Sequence, residues 1–426
     1  MRADILARVN ATNKPFKIYT DYVEDKALEQ FAECMELPSV VQGALMPDTH
    51  AGYVAPIGSV LKTEGTIFPS FVGYDIGCGM SECMLDIKVG SLKPGQLEAI
   101  KDATLKRVPI GFKRHSKKQP IPRAITDMPM SDFAKDVLKD QGATQIGTLG
   151  GGNHFLEIGT TNNGNLSIVV HSGSRGIGHK IATHHMKAAA IQNTDETRYV
   201  NEFQEKNKDW YKACHEGKSS QEKFKEAQKE FVYRRVRARV DNIEDGYPLD
   251  VNSVEGKVYI DDMNMALDFA LANREAMINN TIKAISEVLS TKPEKLRFTN
   301  KNHNHAELTD GYWIHRKGAT QAADGMIGVI PGNMVDGSLI VRGHGNPDSM
   351  ASSSHGAGRV LSRRQAKEQL DLEEFNECTK HLVANHSDSN LDEAPKAYKD
   401  IFEVMENQKD LVTVIDRVVP ILNIKG

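Results

Sequence analysis

The pattern of apolar and polar positions predicts an alternation of strand-rich and helix-rich segments. Between residues 38 and 90, short apolar runs such as VVQGALM and IGSVL are broken by glycine and proline, which predicts strands joined by tight turns. Residues 166–170, LSIVV, predict a buried strand, followed by the glycine loop HSGSRGIG and a helix in HKIATHHMKAAAIQ. After residue 311 the pattern of short strands and glycine turns returns.

Helical periodicity is strongest in three other segments. Residues 261–289 predict a long amphipathic helix, interrupted on its apolar side by Arg274. Residues 195–240 are highly charged and predict exposed helices, and residues 364–408 are also helical in pattern. The last run, LVTVIDRVVPILNIKG, fits either a helix or a strand. The apolar side of the long helix comprises Met263, Leu267, Leu271, Ile278, Ile282, Ile285 and Leu289.

These elements predict an α+β fold with central β-sheets surrounded by helices. A chain of 426 residues is long enough for one large domain or two ordinary ones. The sequence contains no internal repeat and no serine- or proline-rich linker that would divide two domains. We therefore expect a single domain over residues 1–426, with a charged helical insertion at about 195–240.

Composition excludes several classes of protein. Hydrophobic residues make up 39% and charged residues 26%, and no apolar run approaches the roughly 18 residues that a membrane-spanning helix needs. The N-terminal residues show no secretory signal, and the five cysteines lack the spacing of a disulfide framework. We therefore expect a cytoplasmic protein without a membrane partner.

One segment carries a local excess of positive charge, although the formal net charge of the chain is −4. Between Lys101 and Arg123 a single acidic residue, Asp102, interrupts the basic residues. Such a loop can neutralise phosphates along a nucleic-acid strand, although its composition alone favours an ordinary solvated loop. The basic residues of this segment are Lys101, Lys106, Arg107, Lys113, Arg114, Lys117, Lys118 and Arg123.

Four short stretches place histidine, aspartate or cysteine beside glycine. They are GYDIGCGM at 73–80, GGNHF at 151–155, HSGSRG at 171–176 and SSSHGAGR at 352–359. Imidazole and thiolate are ligands of first-row transition metals, and glycine lets backbone N–H groups approach an anion closely. The combination indicates a metal-centred site that handles phosphate.

The candidate metal ligands come from several of these stretches. Asp75 and Cys78 lie three residues apart in a glycine-flanked turn, although a lone cysteine is more often a small buried hydrophobe. His154 and His171 lie at glycine-bordered strand ends, where polar groups are presented rather than packed. His303 supplies a third imidazole, with His305 as its competitor. Because no CxxC pair is present, a structural zinc site is not indicated.

His355 in SSSHGAGR is the candidate nucleophile. An imidazole nitrogen can attack phosphorus and form a phosphoramidate, and Arg359 can neutralise the phosphate. On this motif alone, a further metal ligand or a hydrogen-bonded turn histidine is the preferred interpretation. A P-loop NTPase is not indicated because GxxxxGK[ST] is absent, and a serine hydrolase is not indicated because Ser174 does not lie in a GxSxG elbow.

Eight motifs along the chain form a larger pattern: MPDTHAGYVAPIG, GYDIGCG, GTLGGGNHF, HSGSRGIG, RKGA, PGNM, SHGAGR and IKG. Together they resemble the RtcB family of RNA ligases, whose pattern includes MPDxHxGxxxPIG, GxDIxCG, GTLGxGNHF, HSGSRGxG, RKGA, PGSM, SHGAGR and a C-terminal KG. The match runs from about residue 40 to the last residue. The resemblance implies an RtcB-like fold.

The resemblance also implies an activity. The family joins RNA ends that carry a 2′,3′-cyclic phosphate or 3′-phosphate to ends that carry a 5′-hydroxyl, using GTP and Mn²⁺. By carry-over, Asp75, Cys78 and His154 hold one metal ion, and Cys78, His171 and His303 hold a second. His355 attacks the α-phosphorus of GTP, and the guanylate then passes to the RNA 3′-phosphate, so that GMP leaves when the strand is sealed.

The same carry-over gives a nucleotide pocket in which Asn153 contacts phosphate and Glu157 binds the N–H donors of guanine. Two departures from the family pattern fall at Asn333 and Val335, in PGNMVDGS, and make a hydrogen bond from this loop to the nucleotide uncertain. Tyr398 matches a position beside the base, although a tyrosine in a helical tail often only packs. The full set is Asn153, His154, Phe155, Leu156, Glu157, His303, Asn304, Pro331, Gly332, Asn333, Met334, Ser338, His355, Gly356, Ala357, Gly358, Tyr398 and Lys425.

Three hypotheses therefore remain. The first is a GTP- and Mn²⁺-dependent RNA ligase for RNA repair or tRNA splicing. The second is an end-capping guanylyltransferase that leaves guanylate on a DNA or RNA 3′-phosphate without efficient sealing. The third is a metal-stabilised RNA-binding protein without catalysis, against which the presence of His355 beside the proposed ligands counts. We expect a monomer whose macromolecular partner is RNA.

Overall fold

The structure, a computed structural model, describes residues 1–241, 246–384 and 388–426. Part of the helical prediction for residues 364–408 falls on 385–387, outside the described residues. The strands are β1 Phe16–Ile18, β2 Val40–His50, β3 Ile57–Thr63, β4 Thr66–Ile67, β5 Gly79–Lys88, β6 Phe155–Thr160, β7 Asn165–Ser172, β8 Leu249–Asp250, β9 Lys295–Asn302, β10 Asn304–Thr309, β11 Tyr312–Lys317, β12 Ala319–Gln321, β13 Ile327–Pro331, β14 Ser338–Gly343, β15 Ser352–Ser354 and β16 Val412–Lys425.

The helices are distributed along the whole chain, with the long ones between residues 175 and 289. Among the described residues, no helix combines the length and the apolar character needed to cross a membrane. The helices are α1 Ala3–Ala11, α2 Asp25–Glu36, α3 Pro69–Val72, α4 Gln96–Leu105, α5 Arg123–Thr126, α6 Asp132–Val137, α7 Ala143–Gln145, α8 Arg175–Gln192, α9 Glu196–Lys206, α10 Lys208–His215, α11 Gln221–Asp241, α12 Val254–Leu289, α13 Arg363–Gln369, α14 Leu372–Thr379 and α15 Ile401–Glu406.

Two large sheets form the centre, which confirms the α+β prediction. One sheet has seven strands in the order β13-β14-β16-β6-β7-β5-β9, and the other has five in the order β1-β2-β3-β11-β10. The central strand β7 is buried along its whole length, as the apolar run at 166–170 predicts. Helix α12 packs across β5, β7 and β9, so one face of the seven-stranded sheet is covered by its apolar side.

Helix α12 is longer than the sequence pattern predicts. It begins at Val254, seven residues before the amphipathic repeat, where Ser253 caps the helix by accepting a hydrogen bond from the N–H of Gly256. Met263, Ile278 and Ile285 are fully buried, as expected for the apolar side. Helix α8 also begins early, at Arg175, so the glycine loop after β7 is shorter than expected.

The charged segment at 195–240 forms helices α9, α10 and α11. Their apolar residues make a small core of their own, in which Phe203, Cys214 and Phe224 are buried. Most of their remaining side chains are exposed or half-buried. The interpretation of this segment as an insertion into a single domain stays a prediction.

The last run of the chain is a strand, β16, which settles the choice that its sequence leaves open. It lies between β14 and β6 in the middle of the seven-stranded sheet, antiparallel to both. The register shifts between Pro420 and Leu422, where proline, which has no N–H to donate, is accommodated in an irregularity of the ladder. The strand ends at Lys425, which pairs with Phe155 at the start of β6.

Candidate active site

The turn between α3 and β5 brings Asp75 and Cys78 together. The N–H of Cys78 donates to the carbonyl of Asp75 at 3.0 Å, which closes the turn. Gly77 has a φ of +75°, and a Cβ there would lie 2.7 Å from the Cβ of Ala270 on α12, so the close approach of the helix requires glycine. A Cβ on Gly173 would collide with the Asp75 carboxylate.

Three histidines from separate segments converge on this turn and join Asp75 and Cys78. Sγ of Cys78 lies 3.4 Å from Nε2 of His154 and 3.3 Å from Nε2 of His171. Nε2 of His171 lies 3.3 Å from Nε2 of His303, and Nε2 of His154 lies 3.1 Å from Oδ2 of Asp75. The ligand atoms form two groups that share Cys78, and within each group they lie within 4.8 Å of one another.

The chemistry of this cluster fits bound cations. Nδ1 of His171 lies 3.2 Å from the carbonyl of Asn153, so that nitrogen carries the proton and the lone pair of Nε2 points at Cys78 and His303. Burial, followed by the neighbouring histidines, lowers the pKa of His171 well below its usual value, and burial does the same for His303. The Nε2 atoms of these two neutral imidazoles lie close enough together to coordinate one cation.

The thiol of Cys78 fits the same interpretation. Burial, followed by the Asp75 carboxylate, raises the pKa of Cys78 well above its usual value. A bound divalent cation reverses this effect, because a coordinating thiol is deprotonated. These residues therefore suit two metal ions with a thiolate between them.

Arg274, which interrupts the apolar side of α12, lies beneath the cluster. Its guanidinium is fully buried and donates to the carbonyls of Gly77 and Ser172, each at 2.8 Å. It also donates to Oδ1 of Asn302 at 2.6 Å and to Oδ1 of Asn300 at 2.7 Å. Gly77, Ser172 and Asn302 are the chain neighbours of Cys78, His171 and His303. One side chain therefore fixes the backbone beside two candidate ligands and the side chain next to the third.

His355 follows β15, and its ring lies beside the cluster. The ring centroid is 4.8 Å from that of His303, and Nδ1 lies 2.7 Å from Oδ2 of the fully buried Asp48. That oxygen also accepts from the N–H groups of His355 and Gly356, each at 3.1 Å. A Cβ on Gly358, whose φ is +76°, would collide with the carbonyl of Asp48. The contact with Asp48 leaves Nε2 of His355 as the nitrogen available for chemistry.

A pocket opens on the other side of His355, between β6, β16 and the loop after β13. Most of the predicted nucleotide-binding residues line it: Asn153, Phe155, Glu157, Pro331, Gly332, Asn333, Met334, Ser338, His355, Gly356, Ala357, Gly358, Tyr398 and Lys425. His50, Ile57, Gly337, Arg359, Arg363, Glu393 and Asn423 also line it. The pocket adjoins the cluster, because His171 lines it as well.

Glu157 is the buried acid of this pocket. Its Oε2 accepts from Nδ2 of Asn423 at 3.2 Å, and its Oε1 has no hydrogen-bond partner among the described residues. Burial raises its pKa to about 8. The hydroxyl of Ser338 is also buried and without a partner in the described chain. Unpaired buried polar atoms are costly, so their presence here indicates a polar ligand.

A second group of charges forms the outer wall. Glu393 accepts from Nζ of Lys425 at 2.7 Å and from the hydroxyl of Tyr398 at 2.6 Å. It also lies 2.8 Å from Nη1 of Arg363. The guanidinium of Arg359 stacks over the Tyr398 ring, 5.0 Å from its centroid. Cations on this wall are available to balance the charge of a polyphosphate.

Four predicted nucleotide-binding residues do not line this pocket. Leu156 packs in the core under the sheet, while His154 and His303 belong to the cluster. Asn304 lies in a second chamber beyond the cluster, where its Nδ2 donates to the carbonyl of Asp75 at 3.2 Å and its Oδ1 accepts from Gly318 at 2.7 Å. Asn304 therefore holds the Asp75 turn.

Two positions that the sequence leaves open are settled by their contacts. His305 lies outside the cluster, with its Nε2 3.3 Å from Nη1 of Arg316, whereas His303 lies inside it.

The side chain of Asn333 is used within its own loop: Oδ1 accepts from the N–H groups of Val335 and Asp336, and Nδ2 donates to Asp336 at 2.6 Å. Asn333 therefore holds the conformation of its own loop.

The comparison with known families decides the relationship. The family model described as tRNA-splicing ligase RtcB matches residues 30–135 and 124–426. The chain belongs to the RtcB family. RtcB proteins form a family of RNA ligase enzymes, and this membership confirms the resemblance seen in the motifs.

Curated RtcB relatives match over nearly the full chain. An RNA-splicing ligase RtcB of Escherichia coli is 32% identical over 447 residues, covering 97% of this chain and 98% of the relative. A tRNA-splicing ligase RtcB of Thermococcus kodakarensis is 26% identical over 499 residues, covering 97% and 95%. An RNA-splicing ligase RtcB of Mycobacterium tuberculosis is 27% identical over 476 residues, covering 93% and 100%.

Sequence reasoning assigned no role to Asp48, Arg274 or Glu393. Asp48 lies in the RtcB motif MPDTHAG, which marks the segment, but its contact with His355 is visible only in the fold. Arg274 is visible as a charge on an apolar helix side, but its partners come from distant segments. Glu393 lies in no motif, and only the fold brings it to Lys425.

Proposed function

We propose that this chain is a GTP- and Mn²⁺-dependent RNA ligase. It joins an RNA end with a 2′,3′-cyclic phosphate or 3′-phosphate to an end with a 5′-hydroxyl. The observation that supports this best is the position of His355, whose ring lies between the metal-ligand cluster and the pocket that contains Glu157. A nucleophile at the junction of a cation site and a nucleotide pocket suits nucleotidyl transfer.

In the first step His355 attacks the α-phosphorus of GTP. A P–N bond forms from Nε2, the bond to the β-phosphate oxygen breaks, and pyrophosphate leaves. Asp48 stabilises the positive charge that develops on the imidazole, because its carboxylate lies 2.7 Å from Nδ1. Glu157, as a carboxylate, accepts from the N–H donors of guanine and so selects this base.

In the second step an oxygen of the RNA 3′-phosphate attacks the guanylate phosphorus and releases His355. The product is RNA-(3′)pp(5′)G. A cyclic phosphate end must first take up water to give the 3′-phosphate. In the last step the 5′-hydroxyl attacks the RNA 3′-phosphorus, gives up its proton and displaces GMP, which leaves a phosphodiester bond.

The residues proposed to hold the metal ions are Asp75, Cys78 and His154 for one ion, and Cys78, His171 and His303 for the other. Bound Mn²⁺ supplies Lewis-acid stabilisation of the charge on the reacting phosphates. Asn153 orients His171 through its carbonyl and is positioned to contact the nucleotide. Arg274 keeps the backbone beside the ligands in place.

Covalent labelling tests this proposal. The protein is incubated with GTP labelled at the α-phosphate and Mn²⁺, then denatured. We expect label on the wild-type protein and none on His355→Ala, with His344→Ala as a control that keeps the label because His344 lies near Thr413, away from the pocket. Equal labelling of the wild type and His355→Ala would refute the nucleophile.

A second reaction separates sealing from capping. A 3′-phosphate RNA is incubated with the protein, GTP and Mn²⁺, with and without a 5′-hydroxyl strand. We expect a joined product only when both strands are present. Accumulation of the guanylylated strand in both reactions would overturn the ligase assignment in favour of an end-capping enzyme.

A further inference from the structure

The turn at Gly111–Arg114 presents an aromatic ring to solvent beside the active site. The Phe112 side chain is as exposed as in an extended peptide, with a relative exposure of 104%. Among the described residues, no other large hydrophobic side chain exceeds 74%. Scattered exposed hydrophobics are normal on protein surfaces, but a ring that contacts almost nothing has no structural role in the fold.

The backbone that carries this ring is firmly held. The N–H of Gly111 donates to the carbonyl of Gly150 at 2.8 Å, and the carbonyl of Pro109 accepts from Leu149 at 2.9 Å. The N–H of His115 donates to the carbonyl of Thr144 at 2.9 Å. Val108, at the base of the turn, is buried in the core. The ring is therefore exposed on a fixed support, which reduces the entropy lost when a ligand stacks on it.

The turn lies at the rim of the metal-ligand cluster. Nη2 of Arg175 donates to the carbonyl of Gly111 at 3.1 Å, and Nε donates to the hydroxyl of Thr148 at 3.1 Å. A Cβ on Gly150 would collide both with the guanidinium of Arg175 and with the ring of His154. One side chain, Arg175, thus separates the Phe112 turn from the candidate ligand His154.

Positive charge surrounds the ring. Lys113 and Arg114 follow it directly and are exposed, as are Lys117 and Lys118 farther along the loop. Within the part of the chain that the structure describes, these four side chains form no ion pair with a carboxylate. They belong to the basic segment between Lys101 and Arg123. Cations without acidic partners beside an exposed ring form the combination that binds single-stranded nucleic acid.

We propose that Phe112, Lys113 and Arg114 form a docking platform for a single-stranded RNA end. The Phe112 ring stacks on a base, and the two cations neutralise adjacent phosphates, so the strand is directed past Arg175 to the metal-ligand cluster. This inference rests on the proposed ligase function for its substrate. Stacking on a ring does not select a base, which suits an enzyme that joins broken strands of different sequence.

Joining kinetics test the platform. In Phe112→Ala we expect the KM for RNA to rise about tenfold, which corresponds to a loss of about 1.4 kcal/mol of stacking free energy, while Phe112→Tyr stays near wild type. Tyr233→Ala is the matched control, since Tyr233 is exposed on α11 and its loss should leave the KM unchanged. Covalent labelling by GTP reports the step before RNA enters, so it should be equal in all variants. An unchanged KM in Phe112→Ala overturns the proposal.

Direct binding separates this inference from the proposed function. In Phe112→Trp, tryptophan fluorescence should fall when either a 3′-phosphate or a 5′-hydroxyl RNA oligonucleotide is added, and this readout needs no joining. Lys113→Ala combined with Arg114→Ala should reduce the slope of log affinity against log salt concentration by about 1.4, near 0.7 for each phosphate that is no longer neutralised. Quenching by neither strand refutes the platform, whereas quenching without joining refutes only the ligase assignment.

Discussion

At the scale of single residues, Glu157 has the most informative environment. Its carboxyl group is buried in the proposed nucleotide pocket, and Oε1 has no partner among the described residues. Burial raises its pKa from 4.5 to about 8. A carboxyl group that is protonated at neutral pH in the free protein must lose that proton to accept two guanine donors. Nucleotide binding should therefore depend on pH.

We expect guanosine to bind more tightly as the pH rises from 6 to about 8, by up to roughly tenfold per pH unit, and to level off above that value. Guanosine is the probe because it lacks a phosphate that titrates in this range. Isothermal titration calorimetry measures the affinity. In Glu157→Gln the profile should be flat and the binding weak, and a flat profile in the wild-type protein would contradict the assignment.

The same group affects stability. The pKa of Glu157 in the folded state, about 8, lies above its usual value of 4.5. Between these two pH values the native protein therefore keeps a proton that the unfolded chain has lost. The free energy of unfolding of the nucleotide-free protein should therefore fall as the pH rises from about 4.5 to 8, by a few kcal/mol at most. Chemical denaturation at several pH values should show a smaller fall in Glu157→Gln.

Asp48 should govern the rate of guanylylation. In Asp48→Asn the amide oxygen can still accept from the backbone of His355 and Gly356, so we expect the fold to survive. The loss of the negative charge beside Nδ1 should slow labelling of His355 by a factor on the order of 10² or more. Rapid-quench labelling measures the rate, with circular dichroism as the check on folding. Labelling at the wild-type rate would remove Asp48 from the mechanism.

The sequence identified the candidate ligands but not Asp48, for a physical reason. Cys78, His154 and His171 lie in glycine-bordered motifs, where the residue types themselves suggest metal chemistry. Asp48 lies in the motif MPDTHAG, but its role depends on its contact with His355, 307 positions away in the chain, which only the fold reveals. The choice between His303 and His305 also required the fold, since both are buried and they lie two residues apart.

At the scale of elements, α12 both covers the sheet and positions the ligand-bearing backbone. The 3.6-residue period of the sequence predicted its apolar side. In that pattern Arg274 appeared only as a charged residue that interrupts the apolar side. The partners of Arg274 lie on the turn before β5 and at the ends of β7 and β9. No periodicity of α12 encodes these positions, so the role of the arginine could not be predicted.

Arg274→Met should therefore weaken the site and the fold together. It leaves buried acceptors on Gly77, Ser172 and Asn302 without their donor, so we expect a loss of about 3–5 kcal/mol in the free energy of unfolding. We also expect 10- to 100-fold weaker metal binding, as for other groups that orient metal ligands. Thermal unfolding and metal titration measure these effects. Lys283→Met, on an exposed position of the same helix, should change neither.

At the scale of the whole molecule, the cluster joins segments that begin at Asp75 and end at His303. Binding of a cation by the native state alone stabilises that state, by about 2.7 kcal/mol at a free concentration of 100 times Kd. The melting temperature should rise when Mn²⁺ is added to chelator-treated protein. Cys78→Ala should abolish this response because Cys78 belongs to both ligand groups. Cys378→Ala, in α14, should retain it.

Some features of the overall architecture could be predicted from the sequence, and others could not. The α+β class and the strands between 38 and 90 followed from local patterns. The place of β16 between β14 and β6 could not be predicted from local patterns, because strand order depends on contacts between distant segments. The pattern of the last run fitted either a helix or a strand, and the irregular ladder beside Pro420 shows how the strand accommodates its proline.

The position of β16 has a consequence for biosynthesis. Glu157 and Ser338 lie on the strands that flank β16, and Lys425 at its end reaches into the same pocket. A nascent chain on the ribosome already displays Cys78 and His355 well before this strand leaves the exit tunnel. Until then β6 and β14 have no strand between them, and the pocket that Lys425 lines is incomplete. Chains truncated before β16 should therefore lack the proposed nucleotide pocket.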